Sequence, residues 1–231
     1  MFFDPVYFLF VGPGMVLALI ATFKVKSTFA RYSQVMAASG MTGAEAARQM
    51  LARSGVTNVK IERASGFLSD HYDPTSRTLR LSENVYDSPS LSAIGVACHE
   101  AGHALQHASA YVWLGLRSSL VPATQFGSWG SYIFFLLGMF MHNPKMILIG
   151  IVLFSLTVVF SLITLPVEWD ASARAKRLMV SSGIVSIREQ DDAGRVLNAA
   201  FLTYVASAIT ALLTLLYYLY RAGLLGGRRN D

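Results

Sequence analysis

Charge is scarce in this sequence: Lys, Arg, Asp and Glu supply 14% of its 231 residues, against about 25% in an average soluble domain. A deficit of that size excludes an ordinary water-facing surface over the whole chain. With 53% hydrophobic residues and a mean hydropathy of +0.45, the chain is one to search for membrane spans. Cysteine is nearly absent. Cys98 stands alone, so no disulfide forms within the chain and a cysteine-rich zinc site is excluded. It immediately precedes His99, about 100° around a helix, which turns the thiol off the His99 face. No aromatic-basic repeat or RNA-binding signature occurs, so the net charge of +5 and pI near 9.4 do not mark a nucleic-acid surface. The basic residues gather at the ends of apolar runs, the pattern that orients a chain in a bilayer. Internal repeats and low-complexity linkers are also missing, and the length suits one small domain with a few added helices.

Four apolar stretches are present, at about 6–23, 120–141, 146–165 and 196–220. Each approaches the ~20 residues that cross a hydrocarbon core. The second is the most diluted, by Gln125, Ser128 and Ser131. His142-Asn143-Pro144-Lys145 reads as a tight hairpin between the second and third. Tyr7, Trp129, Tyr132 and the Tyr217-Tyr218-Tyr220 group lie near span ends, where amphipathic rings sit well. The first stretch has no positive leader and is followed by Lys24-Val25-Lys26, which predicts a retained span rather than a signal peptide.

Residues 24–119 form the main polar region. Thr42-Gly43-Ala44-Glu45 is a capping box that opens a helix to about residue 54, stopped by Gly55. Residues 59–63 and 78–82 read as strands, with Asp73-Pro74-Thr75-Ser76 as a turn between them. A long helix starts near Ser88 or Ser90 and runs to about residue 108. The second polar stretch, 168–195, reads as two short helices broken near Gly183. Arg174, Lys176 and Arg177 suit a helix face lying near lipid headgroups.

The long helix carries His99-Glu100-Ala101-Gly102-His103, the HExxH pattern of metallopeptidases. Histidines at i and i+4 share one helical face and can point at one metal. Glu100 is offset, so it can reach a zinc-bound water without ligating. Zinc lowers that water's pKa and polarises a peptide carbonyl, while Glu100 moves the proton to the leaving amine. The bland alternative is a helix with two solvated histidines.

A catalytic zinc takes three protein ligands and keeps one open position. His107 extends the spacing to i+8, and three side chains along one straight helix do not converge on a tetrahedron. It is read as a surface or outer-sphere residue. His71 precedes the site on an irregular segment. Two spans separate the HEAGH helix from Glu168 and Asp170, which returns both to the same side of the membrane. Asp70-His71-Tyr72-Asp73 can supply an oxyanion donor beside the zinc or form a turn satisfying its own backbone. The strand 78–82 can align an extended peptide along its edge or belong to an ordinary hairpin.

The chain resembles the YugP-like family of bacterial neutral zinc metallopeptidases, relatives of the membrane gluzincin peptidases. The resemblance covers essentially the whole chain. It is carried by Lys24-Val25-Lys26-Ser27-Thr28-Phe29, Thr42-Gly43-Ala44-Glu45, Asp70-His71-Tyr72-Asp73-Pro74, Leu79-Arg80-Leu81-Ser82, the HEAGH segment through His107, and Leu165-Pro166-Val167-Glu168-Trp169-Asp170-Ala171-Ser172. It implies a membrane-embedded zinc peptidase with Glu100 catalytic and His99, His103 and Glu168 as metal ligands. Glutamate's longer reach also favours Glu168 over Asp170. Related gluzincins place an aspartate four residues after the ligand glutamate. Ser172 stands there in this chain, so Asp170 becomes the candidate outer-sphere carboxylate, beside His71 and His107.

Together these readings predict a mainly α membrane protein with about four transmembrane helices and a small α+β gluzincin-like zinc-peptidase unit. Its expected divisions are a span at 1–23, a catalytic region at 24–119, a transmembrane hairpin at 120–165, a third-ligand region at 166–195, and a span with a basic tail at 196–231. Expected partners are peptide or membrane-protein substrates and the lipid bilayer. The alternatives are an intramembrane site-2-type protease and a non-catalytic metal-binding scaffold. The expected location is the bacterial inner membrane, multi-pass. Lys24, Lys26, Arg31, Arg117, Arg174, Lys176, Arg177, Arg188 and Arg195 outnumber Lys145, Arg221, Arg228 and Arg229, which favours a cytoplasmic catalytic side.

Overall fold

The computed structural model describes residues 4–66 and 69–225; the basic tail with Arg228 and Arg229 lies outside them. The described chain is mainly helical. Its elements run α1 (Pro5–Tyr32), α2 (Gly43–Arg53), β1 (Lys60–Ala64), β2 (His71–Asp73), β3 (Thr78–Ser82), α3 (Glu83–Tyr86), α4 (Leu91–Ala108), α5 (Val112–Phe140), α6 (Pro144–Ser181) and α7 (Ile187–Arg221). Packing divides the chain into two units. One takes residues 1–21, 116–165 and 203–231, and the other takes 22–115 and 166–202.

The second unit holds the sheet and α2–α4. The capping box at the start of α2 forms as expected: Thr42 N–H donates to Glu45 Oε2 at 2.9 Å, and Glu45 N–H donates to Thr42 Oγ1 at 3.3 Å. Gly55, at φ +75°, ends the helix in a conformation suited to glycine. Ser90 caps α4 by accepting from Ala93 N–H. Met50, Leu79, Leu81, Ile94, Met179 and Leu197 are fully or almost fully buried together, each stabilising the unit by about 1.5–3 kcal/mol.

The sheet order is β1-β3-β2, with β1 parallel and β2 antiparallel to β3. This corrects the expected role of residues 78–82. β3 is the central strand, paired with β1 along all five residues and with β2 at Thr78, Leu79 and Arg80, so it is not a free sheet edge. The three-residue β2 was not foreseen as a strand. Asp73 closes the turn that follows, accepting from Thr75 N–H, Ser76 N–H and Ser76 Oγ. The Ser76 hydroxyl first, then the Thr75 amide, hold its carboxyl down to about 2. Arg77 leaves that turn at φ +50°, a left-handed conformation that favours glycine or asparagine.

The stretch 168–195 is also corrected. It does not form two separate short helices: α6 continues through Pro166 to Ser181, and α7 begins at Ile187. Proline in a helix interior costs about 3 kcal/mol. Val167, Ala171, Ala175 and Met179 are all fully buried at four-residue spacing, and that packed stripe carries the helix past the proline. The break itself falls at Gly183, φ +70°, near the expected place.

In the first unit, Val11, Phe135, Ile151, Tyr217 and Tyr218 form the core, with Phe135 stacked on Tyr218 at 3.8 Å. Asp4 receives the Tyr217 hydroxyl at 2.7 Å and lies 3.7 Å from Arg221. Asn143 Oδ1 accepts from Lys145 N–H and Met146 N–H, capping α6 at the expected hairpin. Among the described residues, three helices are long and apolar enough to cross a membrane: α1, α6 and α7. α5 is not among them. Its polar Thr124, Gln125 and Ser128 line a cavity of about 500 Å³ with Thr157, Ser161 and Thr164 of α6, so two of the three residues that dilute the second stretch, Gln125 and Ser128, face one cavity.

Candidate metal centre

α4 carries His99 and His103 one turn apart, with ring centroids 4.8 Å from each other and planes at 84°. α6 brings Glu168 against both. Its Oε2 lies 3.1 Å from His99 Nε2 and 3.5 Å from His103 Nε2. The helices approach this closely because residue 102 is glycine: a Cβ there would stand 2.7 Å from the Ala171 carbonyl oxygen. The Ala-Gly pair inside the motif is therefore a packing requirement. Glu168 is 1% exposed and His103 7%, whereas His99 and Glu100 are partly exposed.

This donor set fits a metal. Two ligands of one tetrahedral zinc stand about 3.3 Å apart when each bond is about 2.0–2.1 Å. The two separations here, 3.1 and 3.5 Å, bracket that edge. All three donor atoms lie within 4.8 Å of one another.

Hydrogen bonds behind the imidazoles set their tautomers. Gln106 is fully buried, and its Nε2 donates to the Val167 carbonyl at 2.7 Å and to Asp170 Oδ2 at 2.8 Å. Its Oε1, which can only accept, meets His103 Nδ1 at 2.9 Å. An imidazole proton is thus held on Nδ1, which leaves Nε2, on the Glu168 side, as the nitrogen available for ligation. Arg174 Nε donates to Asp170 Oδ2 at 2.6 Å and fixes the far end of this chain. His99 Nδ1 meets Ser172 Oγ at 3.1 Å. Burial lowers the His103 pKa, but the Glu168 carboxylate outweighs it and leaves the imidazole raised.

Of the sequence candidates, the structure brings His99, His103 and Glu168 to one point. Asp170 reaches the cluster through Gln106. The Glu100 side chain makes no hydrogen bond or ion pair among the described residues. Asp70 Oδ1 accepts from Ser82 N–H at 2.7 Å, and burial raises its pKa against those Ser82 bonds, with the Glu100 charge adding to the rise. His71 is exposed and its Nδ1 meets the Ser69 carbonyl at 2.8 Å; among the described residues no bond ties it to the three donors. His107 Nδ1 meets the Tyr72 hydroxyl at 2.8 Å and stays outside the cluster. Cys98 is fully buried, which pushes its thiol far up and leaves it inert.

Sequence reasoning missed the roles of Gln106 and Ser172. Gln106 lies three residues after His103, on its helical face, and that spacing was the available signal. Ser172 lies four residues after Glu168 on α6, and its hydroxyl meets the His99 imidazole from there.

The chain thus has three helices long and apolar enough to cross a membrane and a His-His-Glu donor set of the kind metallopeptidases use. Residues 7–223 match the family model described as "Putative neutral zinc metallopeptidase", and the chain belongs to that family. It is 50% identical over 202 residues to "Putative membrane protease YugP" of Bacillus subtilis (strain 168), covering 87% of this chain and 90% of that one. No solved structure matches it. Zinc is the family's metal, and His99, His103 and Glu168 are the residues able to hold it.

Proposed function

We propose that the chain is a membrane-embedded, gluzincin-type zinc peptidase that hydrolyses peptide bonds by Glu100-assisted attack of water. The observation that carries this reading is the convergence of His99 Nε2, His103 Nε2 and Glu168 Oε2, with the His103 proton held on the opposite nitrogen. Zinc held there supplies Lewis acidity, polarising the scissile carbonyl and acidifying a water. Glu100 takes one proton from the attacking water and delivers it to the departing amide nitrogen. Gln106 and Asp170 keep His103 in its ligating tautomer, and Ser172 steadies His99. Purified in detergent, the protein should hold about one zinc per chain and cleave an unfolded soluble protein. Chelation should abolish cleavage and added zinc restore it. Zinc-loaded, folded protein that cleaves no peptide would end this reading.

The substrates in this reading are membrane-associated or unfolded polypeptides. α5 serves as a fourth span, its polar face turned to the cavity it shares with α6 and α7. That cavity favours a second reading, in which transmembrane segments are cleaved; turnover of soluble substrates argues against a strict requirement for them. The excess of basic residues flanking the catalytic region puts it on the cytoplasmic side of a bacterial inner membrane. Tags in the 143 loop and at the C-terminus should both be protected from protease added to the cytoplasmic face. Cleavage of both tags from that face would reverse the orientation.

A further inference from the structure

We propose that the cavity between the α2–β1 connection, the β2–β3 turn and the last turn of α4 is a substrate subsite for a carboxylate, carried by a peptide as an acidic side chain or as its free C-terminus. The proposal rests on the peptidase reading of the metal centre. The cavity measures about 440 Å³, and Thr57, Asn58, Tyr72, Arg77 and His107 supply its polar walls. No acidic residue lines it.

Arg77 is the main observation. Its guanidinium offers five N–H donors and no acceptor. Among the described residues it has no ion pair and no side-chain hydrogen bond. Asp73, four residues before it, is engaged by Ser76, Thr75 and Arg80, and Glu62 by Arg80 at 3.8 Å. Arg77 also occupies φ +50°, where glycine would fit without strain. A strained position therefore carries an unpaired positive charge at the cavity wall. Its charge acts on the phenol of Tyr72, whose pKa burial raises and Arg77 opposes.

The other groups add donors. Tyr72 Oη and His107 Nδ1 share one hydrogen bond of 2.8 Å. Whichever gives the proton, the pair keeps one more: Nε2–H on His107 if tyrosine donates, O–H on Tyr72 if histidine does. Asn58 and Thr57 are exposed and have no side-chain partner among the described residues. A planar anion matches this set, since a guanidinium and a carboxylate pair through two parallel bonds.

Position ties the cavity to the reaction. Ala104 directly follows His103, and His107 lies four residues on, about 6 Å along the helix axis. That distance is about two residues of extended peptide. The carboxylate belongs to a residue about two places from the bond cut.

The test uses the full chain in detergent and peptides in matched sets: glutamate or glutamine two places from the cleaved bond, each with a free or amidated C-terminus. Wild type should favour carboxylate peptides by about tenfold or more in kcat/KM. Arg77→Gly should bring that ratio close to one through KM, while Tm holds or rises because the left-handed residue is now glycine. Arg77→Lys should keep part of the preference. Preference surviving amidation assigns the side-chain carboxylate; preference lost with amidation assigns the C-terminus. Binding of labelled peptides to Glu100→Gln reads the subsite without turnover. Preferential binding there, beside a wild type that cleaves nothing, would overturn the peptidase reading and leave the subsite. Equal binding of acidic and neutral peptides would overturn the subsite whatever the turnover. So would an Arg77→Gly variant of lowered Tm that slows all peptides alike.

Discussion

Glu100→Gln keeps its zinc and loses peptidase activity by several orders of magnitude. The two halves have separate physical grounds. The donor atoms able to hold the metal belong to His99, His103 and Glu168, and Glu100 contributes none of them. Glutamine keeps the shape of the side chain and leaves the α4–α6 approach at Gly102 undisturbed. It has no carboxylate to take a proton. Loss of a general base alone costs about 10²–10⁴ in rate, and loss of the negative charge beside the reacting water adds to that. Elemental analysis of the purified variant, run beside hydrolysis of an unfolded protein, checks both halves. Substantial turnover, with contaminating proteases excluded, would sink the assignment of Glu100. So would stoichiometric loss of zinc, which would make it a ligand. Full biological behaviour of the inactive variant would point instead to a scaffold that merely binds metal.

The elements that carry this chemistry were legible where their signals are local. The capping box at Thr42 and Glu45, the strand at 78–82 and the two histidines one turn apart depend on spacing within a few residues. Glu168 was reachable by counting the two apolar stretches between it and the HEAGH helix, since two crossings would return a chain to the side it left. What the sequence hid depends on distant approach. The three residues of β2 are too few to show a period, and its pairing beside β3 makes a central strand of what was read as either a peptide-aligning edge or half of a hairpin. The third apolar stretch was expected to end at residue 165, just before Pro166, and only the buried stripe from Val167 to Met179 shows why the helix continues. Gln106 shows no role in the sequence; that role depends on α6 presenting the Val167 carbonyl and Asp170 to its amide. Ser172 reads as a missing carboxylate until His99 is seen to meet its hydroxyl.

Glu168→Ala should lose both zinc and activity while the protein stays folded and inserted. Catalytic zinc needs three protein donors with one position left open. Alanine leaves two imidazoles on one helix turn, and no other carboxylate among the described residues joins the cluster. Asp170 cannot take over, since its Oδ2 is bound by Gln106 and by Arg174 at 2.6 Å. Two residues from Glu168 on one helix, it also points about 200° away. Asp170→Ala should therefore weaken zinc by a smaller factor, about 10–100-fold, the usual effect of removing a group behind a ligand. Gln106 would still be held by the Val167 carbonyl and would still face His103 Nδ1. Ser172→Ala belongs to the same class, acting through His99. Glu168→Gln guards against a folding defect, because it keeps the buried volume of a side chain that is 1% exposed and removes only its charge. Competition against a chromophoric chelator ranks the variants, with Tm and membrane extraction run in parallel. The expected order of zinc retention is wild type, then Ser172→Ala and Asp170→Ala, then Glu168→Gln, then Glu168→Ala. The opposing account makes Glu168 an interfacial charge at the end of a span, whose removal costs little. Tightly held, stoichiometric zinc in folded Glu168→Ala would establish that account and move the third ligand elsewhere.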